Sequence, residues 1–167
     1  MRAARNRVAD RPGFETSMTT DAGTGVRAPC LPELGHKIPA REFGPFDRKA
    51  LERYASVSGD DNPLHLDPDV AAAAGLPDIP VHGLLMLSCF EPYILDWRSD
   101  LCIARVSCRF LNPVFAGEGI RLFGRVVSRR DTPRPELVLR LIAHAPKDVP
   151  AIVGEATVIW QSPDCAN

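Results

Sequence analysis

The stretch GLLMLSCFEPYIL, Gly83 to Leu95, is apolar on nearly every side for three turns. A surface helix carries a single apolar stripe, so a helix of this kind belongs in the middle of a domain. Pro92 has no N–H and crowds the preceding turn, so it is expected to bend the helix or mark where its regular part ends. Beyond it the hydrophobic period changes. Leu101–Phe110 (LCIARVSCRF), Ile120–Ser128 (IRLFGRVVS), Glu136–Ala145 (ELVLRLIAHA) and Ala151–Trp160 (AIVGEATVIW) are β-type runs, separated by the turn-rich links NPVFAGEG, RRDTPRP and PKDVP. Short links predict antiparallel neighbours and hence a meander of strands. A buried helix followed by long strands is an α+β plan, most simply an antiparallel sheet wrapped around the central helix.

Upstream of the helix, His36–Phe43 alternates loosely and is predicted to be a strand. Asp47–Ser56 opens on an N-cap residue and places Leu51, Tyr54 and Ala55 on one helical face. Gly59 supplies its stop. DPDVAAAAG, Asp67 to Gly75, reads as a small helix with Asp67 as cap and Pro68 at its first position, and the prolines of LPDIPVHG keep the next stretch extended.

A chain of 167 residues, 45% hydrophobic and 25% charged, suits one domain with its own core. Residues 30–162 are expected to form it, with 163–167 a short tail. Residues 1–29 are rich in Arg, Thr, Gly, Asp and Ala and poor in large apolar side chains, so a disordered N-terminal extension is expected. A start codon assigned too early, with Met18 the alternative, is preferred there to an Arg-rich targeting sequence, because acidic residues interrupt the pattern. The net charge of -1 gives no electrostatic reason to expect nucleic acid or a membrane surface as partner. Five cysteines with no CxxC pair suggest a reducing compartment. With no secretory signal or bilayer-length apolar run, the expected location is cytoplasmic.

Between the first two predicted helices lies SGDDNPLHLD, Ser58 to Asp67. Turn formation accounts for its flanks: Ser58-Gly59 ends one helix and Asp67-Pro68 starts the next. Asp60, Asn62 and His65 are left over. Asp67 and Asp69 read as helix caps and Asp61 as a solvated side chain. His82-Gly83 opens the apolar helix, where free backbone N–H groups point outward and the helix dipole favours negative charge, as a developing oxyanion needs.

SGDDNPLHLD, followed after the Ala-rich helix by Ile79-Pro-Val-His-Gly-Leu-Leu85, resembles the signature of the MaoC-like (R)-specific enoyl-CoA hydratases and 3-hydroxyacyl thioester dehydratases. The resemblance implies the hot-dog fold and reversible hydration of trans-2-enoyl thioesters to (R)-3-hydroxyacyl thioesters. It implies Asp60 and His65 as the acid/base pair acting on water and the α-proton, and Gly83 N–H as the group that polarises the thioester carbonyl. Asn62 would hold the water or the loop, and Pro63 would keep the loop in one conformation. Ser58 and His82 are expected behind the catalytic set, with His82 a supporting residue rather than an acid or base. Several members carry a Ser farther along the central helix that helps place substrate. That position is Glu91 here and Ser88 lies one turn earlier, so both are expected to be substrate-positioning.

No cofactor is implied. No metal is expected either, since His36, His65, His82 and His144 lack ligand spacing such as HExxH. The implied partners are a thioester of CoA or acyl carrier protein and a second copy, joined sheet edge to sheet edge. Arg98, Arg105, Arg109, Arg129 and Arg130 are equal candidates for the CoA phosphates. Two alternatives stay open: a hot-dog thioesterase, for which Glu91 would supply a helix carboxylate, and a non-catalytic acyl-binding subunit of a heteromeric dehydratase.

Overall fold

The computed structural model describes residues 31–131 and 135–160. The expected extension over 1–29 and the tail over 163–167 lie outside the described residues. Chain order is β1 (Lys37–Phe43), α1 (Arg48–Ser58), a 3₁₀ turn (Pro63–His65), α2 (Pro68–Ala73), α3 (Gly83–Ser88) and α4 (Phe90–Trp97). Then come β2 (Leu101–Phe110), β3 (Ile120–Arg130), β4 (Glu136–Ala145), a second 3₁₀ turn (Pro146–Asp148) and β5 (Val149–Trp160). The caps behave as their residue types dictate. Asp47 Oδ1 accepts the Ala50 N–H at 2.7 Å to start α1, and Gly59 ends it at φ 76. Asp67 Oδ1 accepts the Asp69 N–H at 2.8 Å ahead of Pro68.

The central helix differs from its expected form in two ways. It is interrupted at Cys89, three residues before Pro92, and then runs on past Pro92 to Trp97. Pro92 cannot donate to the Ser88 carbonyl and its ring crowds that oxygen, so the irregularity falls in the preceding turn while Pro92 itself sits in the first turn of α4. The helix is also not enclosed all round. Met86, Phe90, Tyr93 and Ile94 are buried, but Leu84 is 57% exposed, and Ser88, Glu91 and Leu95 continue the exposed stripe. The sheet covers one side only.

The five strands form one antiparallel sheet in the order β1-β3-β4-β5-β2. The meander therefore holds for β3, β4 and β5 and fails for β2, which pairs with β5 at the far edge. The link after β2 is not a hairpin turn because its backbone is used elsewhere. Val81 N–H donates to Val114 O at 2.7 Å and Ala116 N–H to Ile79 O at 2.9 Å, tying it to the stretch that leads into α3. This cross-tie brings the end of β2 to the start of the central helix.

Alternation along the strands faces Leu122 and Val126 of β3, Leu137, Leu139, Leu141 and Ala143 of β4, and Ala156 and Val158 of β5 into the core, where Phe90, Tyr93 and Ile94 of α4 pack. Each such large side chain contributes about 1.5–3 kcal/mol by leaving water. Gly124 sits under the helix: a Cβ there would lie 2.8 Å from Ile38 Cδ1, 3.0 Å from Leu141 Cδ2 and 3.2 Å from Tyr93 Cε1. Its missing side chain lets Tyr93 lie on the sheet, with the phenol donating to Ile38 O at 3.3 Å.

Candidate active site

Asp60 follows directly on the end of α1. Ser58 Oγ donates to Tyr54 O at 2.7 Å and accepts the Asp60 N–H at 3.2 Å, so the serine joins the helix end to the start of the loop. Asn62 Oδ1 accepts the Leu64 N–H at 3.0 Å and caps the short 3₁₀ turn in which Pro63 is the first residue. That turn presents His65, whose Nδ1 lies 2.8 Å from the Pro80 carbonyl. A carbonyl can only accept, so Nδ1 carries the proton and the lone pair is on Nε2. This bond fixes the ring with Nε2 turned away from Pro80, as the nitrogen left for acid/base exchange.

His82 lies beneath this loop, fully buried at 0% exposure. Its Nε2 is 3.1 Å from the Asp60 carbonyl, which requires a proton on Nε2, and its Nδ1 is buried with no partner. Its ring stacks on His65 at 4.2 Å and 27° and meets Tyr54 at 4.9 Å and 56°. Burial pulls the His82 pKa below the ordinary 6.5. The hydrogen bond to Asp60 O opposes this, nearby His65 adds to the fall and the Asp60 charge opposes it weakly. His82 is therefore neutral at pH 7.

The next residue, Gly83, opens α3, and its first-turn N–H has no acceptor within the helix. A Cβ on Gly83 would stand 2.9 Å from Phe110 Cε1. The space a side chain would take is filled by Phe110, half exposed at 50%, at the end of β2. Val81, Gly83, Met86, Phe110, Leu111 and Pro113 line a cleft of about 250 Å³ with Asn112 at its edge, whose amide donates to Pro150 O. A larger hollow of about 440 Å³ beside the β4–β5 hairpin contains His144 and Lys147 but none of the motif residues, whereas the smaller cleft contains Gly83.

The fold thus gathers Asp60, His65, His82 and Gly83 from two separate stretches. Ser88 and Glu91 are placed differently. The Ser88 hydroxyl donates to Leu85 O at 2.7 Å, and both residues lie on the exposed face of the helix pair. Tyr54, the Pro80 carbonyl and Phe110 were not legible as site residues, because their roles depend on contacts across 15 to 30 residues of chain. Of the five candidate arginines, Arg98 forms two hydrogen bonds to Asp100, Arg129 pairs with Asp131 and Arg130 with Glu136, while Arg105 and Arg109 are exposed on β2. Among the described residues no group of three or more His, Cys, Asp or Glu is placed to hold a metal ion, and no helix is long and apolar enough to cross a membrane.

A five-stranded antiparallel sheet curled around a central helix, with a polar loop over the start of that helix, is the hot-dog fold. The fold matches the (R)-hydratase structure from A. caviae with a TM-score of 0.71 at 28% identity, covering 77% of this chain and 97% of that one. The MaoC-like domain profile matches residues 7–144, and the chain belongs to that family. It is 32% identical over 144 residues to a mitochondrial 3-hydroxyacyl-[acyl-carrier-protein] dehydratase of Arabidopsis thaliana, covering 84% of this chain and 85% of the relative. It is likewise 32% identical over 130 residues to the (R)-specific enoyl-CoA hydratase of Aeromonas caviae, covering 75% and 93%.

Proposed function

We propose that this protein is a hydro-lyase that reversibly hydrates trans-2-enoyl thioesters to (R)-3-hydroxyacyl thioesters. The observation that carries the reading is the His65 tautomer: Nδ1–H is held by Pro80 O, which leaves Nε2 free to take a proton, on the same short loop as the Asp60 carboxylate. In the hydration direction Asp60 and His65 remove a proton from water as its oxygen bonds to C3 of the enoyl group. The C2–C3 π electrons move onto the thioester, whose oxygen gains charge and is stabilised by Gly83 N–H. A proton from the same pair is then delivered to C2, and the sum is addition of one water. Asn62 holds the loop through its bond to Leu64 N–H, while Ser88 and Glu91 would meet substrate only beyond the reacting carbons.

The names of the relatives support both CoA and acyl carrier protein as carriers of the thioester. A homodimer formed through the β2 edge is part of the proposal. β2 is a ten-residue edge strand, and exposed Leu84, Phe110 and Leu111 lie beside the cleft. The proposed location is the cytoplasm, where Cys89, Cys102 and Cys108 would remain the free thiols they are here.

Incubation with crotonyl-CoA tests the reaction. Loss of enoyl absorbance without release of free thiol is expected; free CoA without hydration would establish the thioesterase alternative in its place. No turnover by the pure chain, restored by a second, different subunit, would establish the heteromeric one.

A further inference from the structure

His82 is an imidazole where packing alone has no use for one. The site is fully buried, one ring nitrogen has no partner, and a Leu or Phe would fill the space without stranding a polar atom. What only the imidazole supplies is a combination of contacts. Nε2–H reaches the Asp60 carbonyl at 3.1 Å, while the ring face lies 4.2 Å from the ring of His65. The main chain of one proposed catalytic residue and the side chain of the other thus rest on a single side chain. Tyr54 of α1 backs it from the other side, and Tyr54, Asp60 and His65 are the titratable groups that face it. His82 is itself fixed by the chain direction at Gly83, since it is the residue from which α3 starts.

We propose that His82 is a positioning residue: as a neutral Nε2–H imidazole it sets the distance between the Asp60 and His65 side chains and ties both to the helix start that carries the Gly83 N–H. The consequence for turnover rests on the hydratase reading; the geometry does not. A loop residue displaced by about 1 Å from its productive position loses rate rather than binding, so the effect belongs in kcat.

Two substitutions separate the contacts. His82→Phe keeps a ring against His65 and Tyr54 and removes the donor to Asp60 O. His82→Gln keeps an N–H near the Nε2 position and removes the ring. His82→Phe is expected to lower kcat on crotonyl-CoA about tenfold or more with KM changed less than about threefold, and to displace the acid limb of the pH profile. His82→Gln is expected to recover part of the lost kcat, because it restores the donor to Asp60 O and not the ring against His65. Variants with unchanged kcat and acid limb but a lower melting temperature would reduce His82 to a packing residue.

Because either variant can fail to fold, nitrogen-15 NMR of the wild-type imidazoles provides an independent readout. A His82 ring with the proton on Nε2 and a titration midpoint below 6.5 is expected, and a proton on Nδ1 or a midpoint at or above 6.5 overturns the proposal. If the wild type is inert toward enoyl thioesters while the NMR signature holds, the proposed reaction fails and the positioning geometry stands.

Discussion

Asp60 and His65 can be tested separately from the fold because neither is buried. Asp60→Asn and His65→Asn are each expected to lower kcat about 10²–10⁴-fold, the usual worth of positioned acid/base groups, with melting temperatures close to wild type. Steady-state kinetics beside thermal melts check this, and unchanged turnover would remove both residues from the mechanism. His82 acts on stability as well. Its folded pKa lies below the unfolded value of 6.5, so the unfolded chain takes up a proton that the native protein refuses. The stability this group supports is full above pH 6.5 and falls as pH drops through 6.5 toward its lower folded value, by at most about 1.4 kcal/mol per pH unit. Urea midpoints at pH 7.5 and 5.5 measure the loss, which His82→Gln should reduce.

At the scale of elements, two glycines that look alike in sequence differ in what a methyl group would meet. At Gly124 the nearest atoms are the ends of Ile38, Leu141 and Tyr93 side chains, which can give way at an overpacking cost of about 1–3 kcal/mol. At Gly154 a Cβ would stand 2.5 Å from the Ser107 carbonyl oxygen, so β2 and β5 must separate. Gly154→Ala is therefore expected to destabilise more than Gly124→Ala when denaturant midpoints are compared. The β4–β5 hairpin offers the opposite sign. Lys147 and Asp148 both hold positive φ, 61° and 58°, in its loop. The left-handed region costs a side-chain-bearing residue about 1–2 kcal/mol and Gly nothing, while Gly loses about 0.5–1 kcal/mol in chain entropy. Lys147→Gly should thus gain about 0.5–1 kcal/mol, seen as a rise of about 1–4 °C in melting temperature.

Across the whole molecule, the sheet leaves the β2 edge and the Leu84–Leu95 stripe of the helix pair uncovered. Light scattering should return twice the 18.3 kDa chain mass if a second copy covers them. A monomer at working concentration would overturn the proposed homodimer. The core itself depends on the central helix: Phe90, almost fully buried between helix and sheet, should cost about 3–5 kcal/mol when cut to Ala, without altering the Asp60–His65 loop.

Local chemistry made much of this protein legible in one dimension. The caps at Asp47 and Asp67, the stop at Gly59 and strands β2 and β4 were readable to the residue, because each depends on near neighbours and side-chain period. Asp60 and His65 stand out in the same loop because turn formation makes no use of their side chains, whereas Asn62, which reads the same way in sequence, caps the 3₁₀ turn. What the sequence could not show depends on partners far along the chain. The place of β2 beside β5 follows from hydrogen bonds between the Val114–Ala116 link and the Ile79–Val81 stretch. The His65 tautomer is decided by the Pro80 carbonyl, and the place of His82 by Asp60, His65 and Tyr54. Hydrogen-bond direction and ring contact are properties of atoms brought together, and only the folded chain brings them together.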